Sequence, residues 1–290
     1  MPDAGDLPAT AEPLRYACRL TALVADRCGG ALEAAYLHGS AALGGWVAER
    51  SDVDILFVVA DDIAEPAVTA AASLLAAPDA DCPGRGLECG VVTASQARRP
   101  APPWPFVLHA SPGVGGQHGS GPRVVVGGQH GSGPRVVRDY TLPGDSDLLM
   151  HYAVCRAAGI TLHGPPARDC IGPVARPVIL GYLADELGWG LAHAPECYAV
   201  LNACRALVFL TDDTIVSKVA GGLAALDHAL GPPGLVRDAV DQQQGRVRER
   251  PPGPEAISFV TGVAVPLSAA ALSAAALSAA AAGRPAAPSA

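Results

Sequence analysis

Residues 52–60, DVDILFVVA, constrain the fold more than any other stretch. β-Branched and aromatic side chains dominate it. Apolar residues alternate with acids at first and then run unbroken through Phe57-Val58-Val59. This is the pattern of a strand with a buried middle, ended by Asp61-Asp62. Residues 66–77 read as a helix with Pro66 in its first turn. Residues 87–93, LECGVVT, read as a second strand. Strand, helix and strand in this order predict an α/β unit with both strands in one sheet. Ahead of them, residues 14–28 place apolar side chains at helical spacing and stop at Gly29-Gly30.

Period two puts Asp52 and Asp54 on the same face of the first strand. Two carboxylates so placed repel each other unless a cation lies between them. Magnesium suits such a pair, because it prefers oxygen ligands and bridges carboxylates to nucleotide phosphates. Gly39-Ser40, twelve residues before Asp52, would bring backbone N–H groups and a hydroxyl to those phosphates, and the following ALGGW could offer a helix start. Glu88 on the second strand can add a third carboxylate, leaving two acids for metal and one as general base. Each piece alone is commonplace; the combination at this spacing is rare. His118-Gly119-Ser120 and His130-Gly131-Ser132 repeat the letters of His38-Gly39-Ser40. Neither is followed at that distance by Asp-x-Asp, so no role is assigned to them.

Those two decoys lie in a tandem repeat, VGGQHGSGPRVV, at 114–125 and again at 126–137. Two short, glycine-rich copies do not make a packed solenoid; a flexible insertion is expected. Beyond it the periodicity turns helical, over residues 145–158, 176–187, 197–210, 217–230 and 235–244, with Gly159, Pro165-Pro166, Pro195 and Gly231-Pro232-Pro233 as punctuation. The expected organisation is an α/β domain at 1–110, the insertion at 111–142, an all-helical bundle at 143–250 and an alanine- and proline-rich tail at 251–290 without fixed structure. In that tail Leu267, Leu272 and Leu277 recur every five residues, which builds no lasting apolar face. No charge occurs from Ile257 to Gly283, but alanine, serine and Pro266 make a poor membrane anchor.

The net charge of the 290-residue chain is −8. That argues against non-specific nucleic-acid binding, which needs a basic face. It suits a cationic partner. The start, MPDAGDLPATAEPL, lacks the apolar run of a secretory signal. The eight cysteines show neither CxxC nor zinc spacing. A cytoplasmic monomer is expected, with no membrane attachment.

HGSAALGGWVAERSDVDILFVV resembles the signature of the DNA polymerase β-type nucleotidyltransferases. More specifically, it is similar to the aminoglycoside adenylyltransferases that modify streptomycin and spectinomycin. DLLMHYAVCRAAGITLHGPP resembles the opening of that family's second domain. VLNACRALVFLTDDTIVSKVAGGLAAL resembles its nucleotide-contacting helices, with Arg205 and Lys218 at the basic positions. The resemblance implies an α/β nucleotidyltransferase domain followed by an all-α bundle, with the active site in a cleft between them. It implies transfer of AMP from ATP to a hydroxyl of a small cationic acceptor. Asp52 and Asp54 would bind Mg2+, and Glu88 would deprotonate the hydroxyl. Gly39 and Ser40 would hold phosphates, assisted by Ser51, and Arg205 and Lys218 would reach the triphosphate. Such chemistry needs positioning and charge neutralisation more than covalent help. Arg205 also sits in an otherwise apolar helix, where a buried cation needs an anionic partner.

The chain departs from the family in two places. DAVDQQQG lacks the aromatic that family members carry after the lysine, and the drug-binding segment is shorter, with Trp189, Asp185 and Glu186 near the matching positions. Trp104 is a candidate stacking surface, and Asp145, Asp147, Asp185 and Glu186 are candidates to attract a polycation. Two other readings stay open. One keeps the chemistry but changes the acceptor to another metabolite or a protein hydroxyl. The other is a nucleotide-binding regulatory or antitoxin-like protein with little turnover.

Overall fold

The computed structural model describes residues 10–77, 81–111, 123–126, 136–138 and 144–282. It divides into two compact units, residues 1–174 and 175–290.

The first unit runs α1 (Ala11–Cys28), β1 (Leu32–Leu37), α2 (Gly39–Ala42), β2 (Val53–Val59), α3 (Glu65–Leu75), β3 (Leu87–Thr93), α4 (Ala94–Arg98), β4 (Leu108–Ser111), β5 (Arg123–Val126), β6 (Val136–Arg138), α5 (Leu148–Ala158), β7 (Ile160–His163) and α6 (Ala167–Cys170). Its seven strands form one sheet, ordered β6-β5-β4-β3-β2-β1-β7. β2 and β3 are parallel, as a strand–helix–strand crossover requires, while β1 runs antiparallel to both β2 and β7.

Alternation along β2 explains both faces of the sheet. Val53, Ile55, Phe57 and Val59 join Leu87, Cys89, Val91, Leu108 and Ala110 in a core closed by Tyr16, Ala17, Leu20 and Val24 of α1 and by Ala71, Ala72 and Leu75 of α3. These α1 residues recur at helical spacing, so one stripe of the helix is buried. Each fully buried Val, Leu, Ile or Phe contributes roughly 1.5–3 kcal/mol. Asp54, Leu56 and Val58 leave the opposite face. There α5 approaches closely: a side chain on Gly90 would come within 2.9 Å of Leu148. Asp54 therefore lies under a helix rather than in open solvent.

The expected start of a second domain at 143 differs from this division. α5, β7 and α6 belong to the first unit, because β7 adds to the sheet beside β1, with Tyr36 opposite Thr161 and Leu37 opposite Ile160. The Tyr36 hydroxyl also donates to the Pro165 carbonyl at 2.9 Å. A four-residue edge strand between two helical patterns gives almost no periodic signal. Most of the duplicated insertion lies outside the described residues. Within it, β5 and β6 pair in parallel with Val124 opposite Val136 and Val125 opposite Val137, so each repeat copy meets the equivalent residues of the other.

The second unit holds α7 (Arg176–His193), α8 (Glu196–Asp212), α9 (Lys218–Asp227), α10 (Pro233–Gln243) and α11 (Pro254–Ala282). α11 replaces the unstructured tail expected beyond 250. Counting leucines alone misses its face. The buried residues are Ala256, Val260, Val263 and Leu267, spaced by four, three and four, which is a continuous helical stripe built partly from alanine and valine. The stretch Pro254–Ser273 is long and apolar enough to cross a membrane, yet this stripe is buried within the unit. Glu196, at the start of α8, ties the helices together. Its carboxylate accepts from the Gly253 N–H at 3.1 Å and the Gln242 amide at 3.3 Å, and pairs with Arg250 at 2.7 Å.

Candidate active site

The ladder between β2 and β3 sets Asp54 directly beside Glu88. In parallel strands, neighbours in register point to the same face, so the sheet brings these carboxylates together from 34 positions apart. Asp52, just ahead of β2, shares the face by period two. Above this edge is the turn between β1 and α2. The His38 N–H donates to the Asp54 carbonyl at 2.9 Å, which ties the Gly-Ser turn to the acid strand. Gly39 has φ +60°, and a Cβ there would lie 1.8 Å from Asp54 Oδ2. Only glycine allows this backbone to lie against the carboxylate. Ser40 Oγ is buried without a hydrogen-bond partner among the described residues. Because α2 has four residues, its contribution is local N–H groups rather than the dipole of a long helix.

Ser51 has another task in this structure. Its hydroxyl accepts from the Val47 N–H at 3.0 Å and its carbonyl accepts from the Arg85 N–H at 2.9 Å. It shapes the loop that delivers Asp52 to the strand.

Two histidines, His151 and His109, lie near Glu88, and a third, His38, packs against His151. His151, on α5, places Nε2 3.7 Å from Glu88 Oε1, within ion-pair range but long for a hydrogen bond. Its ring lies 4.6 Å from that of His38. Burial, then the charge of His151, push the His38 pKa well below the usual imidazole value. His109, on β4 opposite Gly90, pairs with Asp145 at 2.8 Å. Burial opposes the charged form of His109, but the hydrogen bond and charge of Asp145, with Glu88 and Asp147, raise its pKa. Burial likewise opposes the Asp145 carboxylate, yet the His109 contact lowers its pKa. One turn beyond His151 on α5, the Cys155 thiol is pushed well up by burial and by the charge of Asp54, so it is an inert packing group.

None of these histidines carries a role in the sequence reading. His38 was visible only as a letter of the Gly-Ser motif. His151 sits in an apolar helix whose face toward the sheet is set by tertiary packing. His109 lies in a strand of four residues. Trp104, considered as a stacking surface, is 8% exposed and lines a cavity of about 320 Å³ with Ser95, Gln96, Arg99 and Tyr152.

In the second unit, Arg205 and Lys218 stand on successive helices. Arg205 Nε donates to the Val216 carbonyl at 2.9 Å and its Nη1 to Asn202 at 3.0 Å. These two oxygens carry no formal charge; they aim the guanidinium. α9 comes close because a side chain on Gly221 would meet Arg205 Cγ at 2.8 Å. Lys218 Nζ lies 4.3 Å from the centre of the Tyr198 ring, a cation–π contact. The Tyr198 hydroxyl donates to Glu186, and Trp189 packs edge-on against Tyr198 at 5.9 Å. Trp189 is half exposed. Two of the acids considered as a polycation attractor thus have partners of their own: Asp145 holds His109 and Glu186 holds Tyr198.

Residues 182–249, which contain this cluster, match the family model described as the aminoglycoside adenylyltransferase C-terminal domain. No curated protein matches the chain. Among solved structures, the fold is similar to that of spectinomycin adenyltransferase AAD(9) from Enterococcus faecialis, crystallised with ATP and spectinomycin. The TM-score is 0.54 at 12% identity, over 87% of this chain and 96% of the other. Residues 182–249 of this chain are thus similar to the C-terminal domain of the aminoglycoside adenylyltransferases.

Proposed function

We propose that the protein transfers the adenylyl group of ATP to a hydroxyl of an aminoglycoside-type acceptor, with streptomycin and spectinomycin foremost, and releases pyrophosphate. The observation that carries this reading is the register of β2 and β3, which sets Asp54 beside Glu88 under the Gly39-Ser40 turn.

Asp52 and Asp54 are the residues that would hold Mg2+. Two carboxylates on one strand face fit a hard cation, and glycine at position 39 lets the backbone of the turn lie close against Asp54. When bound, the metal neutralises phosphate charge during transfer. The chain supplies the rest. The Ser40 hydroxyl and the adjoining N–H groups cradle the terminal phosphates. Glu88 takes the proton of the acceptor hydroxyl as its oxygen bonds to the α-phosphorus and the bond to the bridging oxygen of pyrophosphate breaks. Arg205 and Lys218 are proposed as ligands of the triphosphate, and Trp189 with Glu186 as part of the acceptor surface. A cytoplasmic setting fits, since ATP is available there and all eight cysteines are free thiols.

The test is pyrophosphate release and mass-spectrometric detection of the adenylylated drug, with ATP, Mg2+ and either streptomycin or spectinomycin. Product is expected with wild type and none with Asp54→Asn. If ATP is bound but neither drug is modified, the acceptor assignment falls. If Asp54→Asn turns over like wild type, the site itself is wrongly placed.

A further inference from the structure

We infer that His151 is a positioning residue for Glu88, with the buried ring of His38 as its backing. The inference rests on the reading of Glu88 as the base that receives the acceptor's proton. It goes beyond that reading by naming what aims the carboxylate.

A glutamate on a strand has three side-chain torsions and needs a partner to fix its outer oxygen. Among the described residues, the carboxylate that His151 Nε2 reaches is that of Glu88, at 3.7 Å from Oε1. Contacts of catalytic groups are often long without substrate and shorten when it binds. His151 has little freedom of its own. Its side chain is 11% exposed, on a helix whose Leu148 packs toward Gly90 of the strand that carries Glu88.

The His151 ring also lies 4.6 Å from that of His38, tilted by 47°. His38 is 2% exposed and anchored by its N–H to the Asp54 carbonyl. His38 Nε2 and His151 Nδ1 are both buried without a hydrogen-bond partner among the described residues. Two such nitrogens are unfavourable in a structural role. A purely structural site would be filled better by leucine or phenylalanine. With Nε2–H directed at Oε1, the second oxygen of Glu88 is left for the acceptor hydroxyl. Glu88 is the group that gains the acceptor's proton.

The experiment is a double-mutant cycle on the full-length protein, with kcat and the KM for ATP measured in the presence of spectinomycin or streptomycin. His151→Leu should lower kcat at least about tenfold while the KM for ATP stays within about twofold, because the nucleotide ligands are untouched. His151→Gln, which keeps an N–H near the same place, should recover most of the loss. In the Glu88→Gln background, His151→Leu should cost little more, since the pair acts as one unit. A full His151→Leu penalty in that background, an unchanged kcat in the single variant, or a glutamine variant no better than leucine would each overturn the positioning role. Glu88→Gln with wild-type kcat would instead overturn the assignment of the base, and the inference with it.

Discussion

Replacing Gly39 by alanine is the sharpest probe of the site. The new Cβ would sit 1.8 Å from Asp54 Oδ2 and 2.5 Å from its carboxyl carbon, whereas ordinary contact begins at 3.4 Å. The oxygen must therefore retreat by about 1.6 Å, the gap between those two separations. The backbone cannot yield instead, because β2 is held between β1 and β3 and the His38 N–H is bonded to the Asp54 carbonyl. Misplacing a reacting geometry by about 1 Å can cost on the order of 100-fold in rate, so kcat/KM should fall at least that far. The fold should survive. An alanine in the left-handed region costs roughly 1–2 kcal/mol, and the carboxylate can swing outward to relieve the clash. Gly29 is the control. It has φ +58°, and a Cβ added there would meet nothing within 4 Å, so Gly29→Ala bears the same backbone strain without touching the site. Both variants should lose a few degrees of Tm, at about 2–4 °C per kcal/mol for a chain of this size. Only Gly39→Ala should lose activity. Equal activity in the two, or Gly39→Ala within about threefold of wild type, would refute the claim that this turn seats the Asp54 carboxylate.

Three further outcomes follow from the geometry. Glu196→Ala should destabilise the second unit by about 2–4 kcal/mol in denaturant unfolding, because it strands the buried Gln242 amide and the Gly253 N–H; Arg250 is half exposed and can rehydrate. The His109–Asp145 pair makes stability depend on pH. Asp145 has a lowered folded pKa, so its contribution is present above the usual carboxylate value and is lost as pH falls through the lowered one. His109 has a raised folded pKa, so its contribution is complete below the usual imidazole value and is lost as pH rises through the raised one. In Tm measured against pH, Asp145→Asn should therefore fall furthest below wild type between about pH 4 and 6.5 and approach it again in alkali. Finally, Lys218→Ala and Arg205→Ala should each raise the KM for ATP about tenfold or more, with thermal unfolding barely altered for the lysine, which rests on an aromatic face.

The sequence by itself determined where the candidate acids stand along the chain and the broad order of elements. Asp52 and Asp54 on one strand face, the Gly39-Ser40 turn before them and the acid on the next strand are local facts, fixed by the two-residue period and by glycine's tolerance of φ +60°. The helices of the second unit were legible from their 3.6-residue pattern, apart from α11, whose buried stripe is partly alanine. Tertiary structure alone decided the rest. β7 is too short to announce itself, yet its pairing with β1 draws α5 into the first unit and across the sheet face that carries the acids. That packing brings His151 to Glu88 and His38 to His151, across separations of 63 and 113 positions. A histidine in an apolar helix reads the same whether it faces a carboxylate or a core. Which one it meets depends on the helix's rotation against the sheet, and that is set by every side chain in the layer together rather than by any one stretch of the chain.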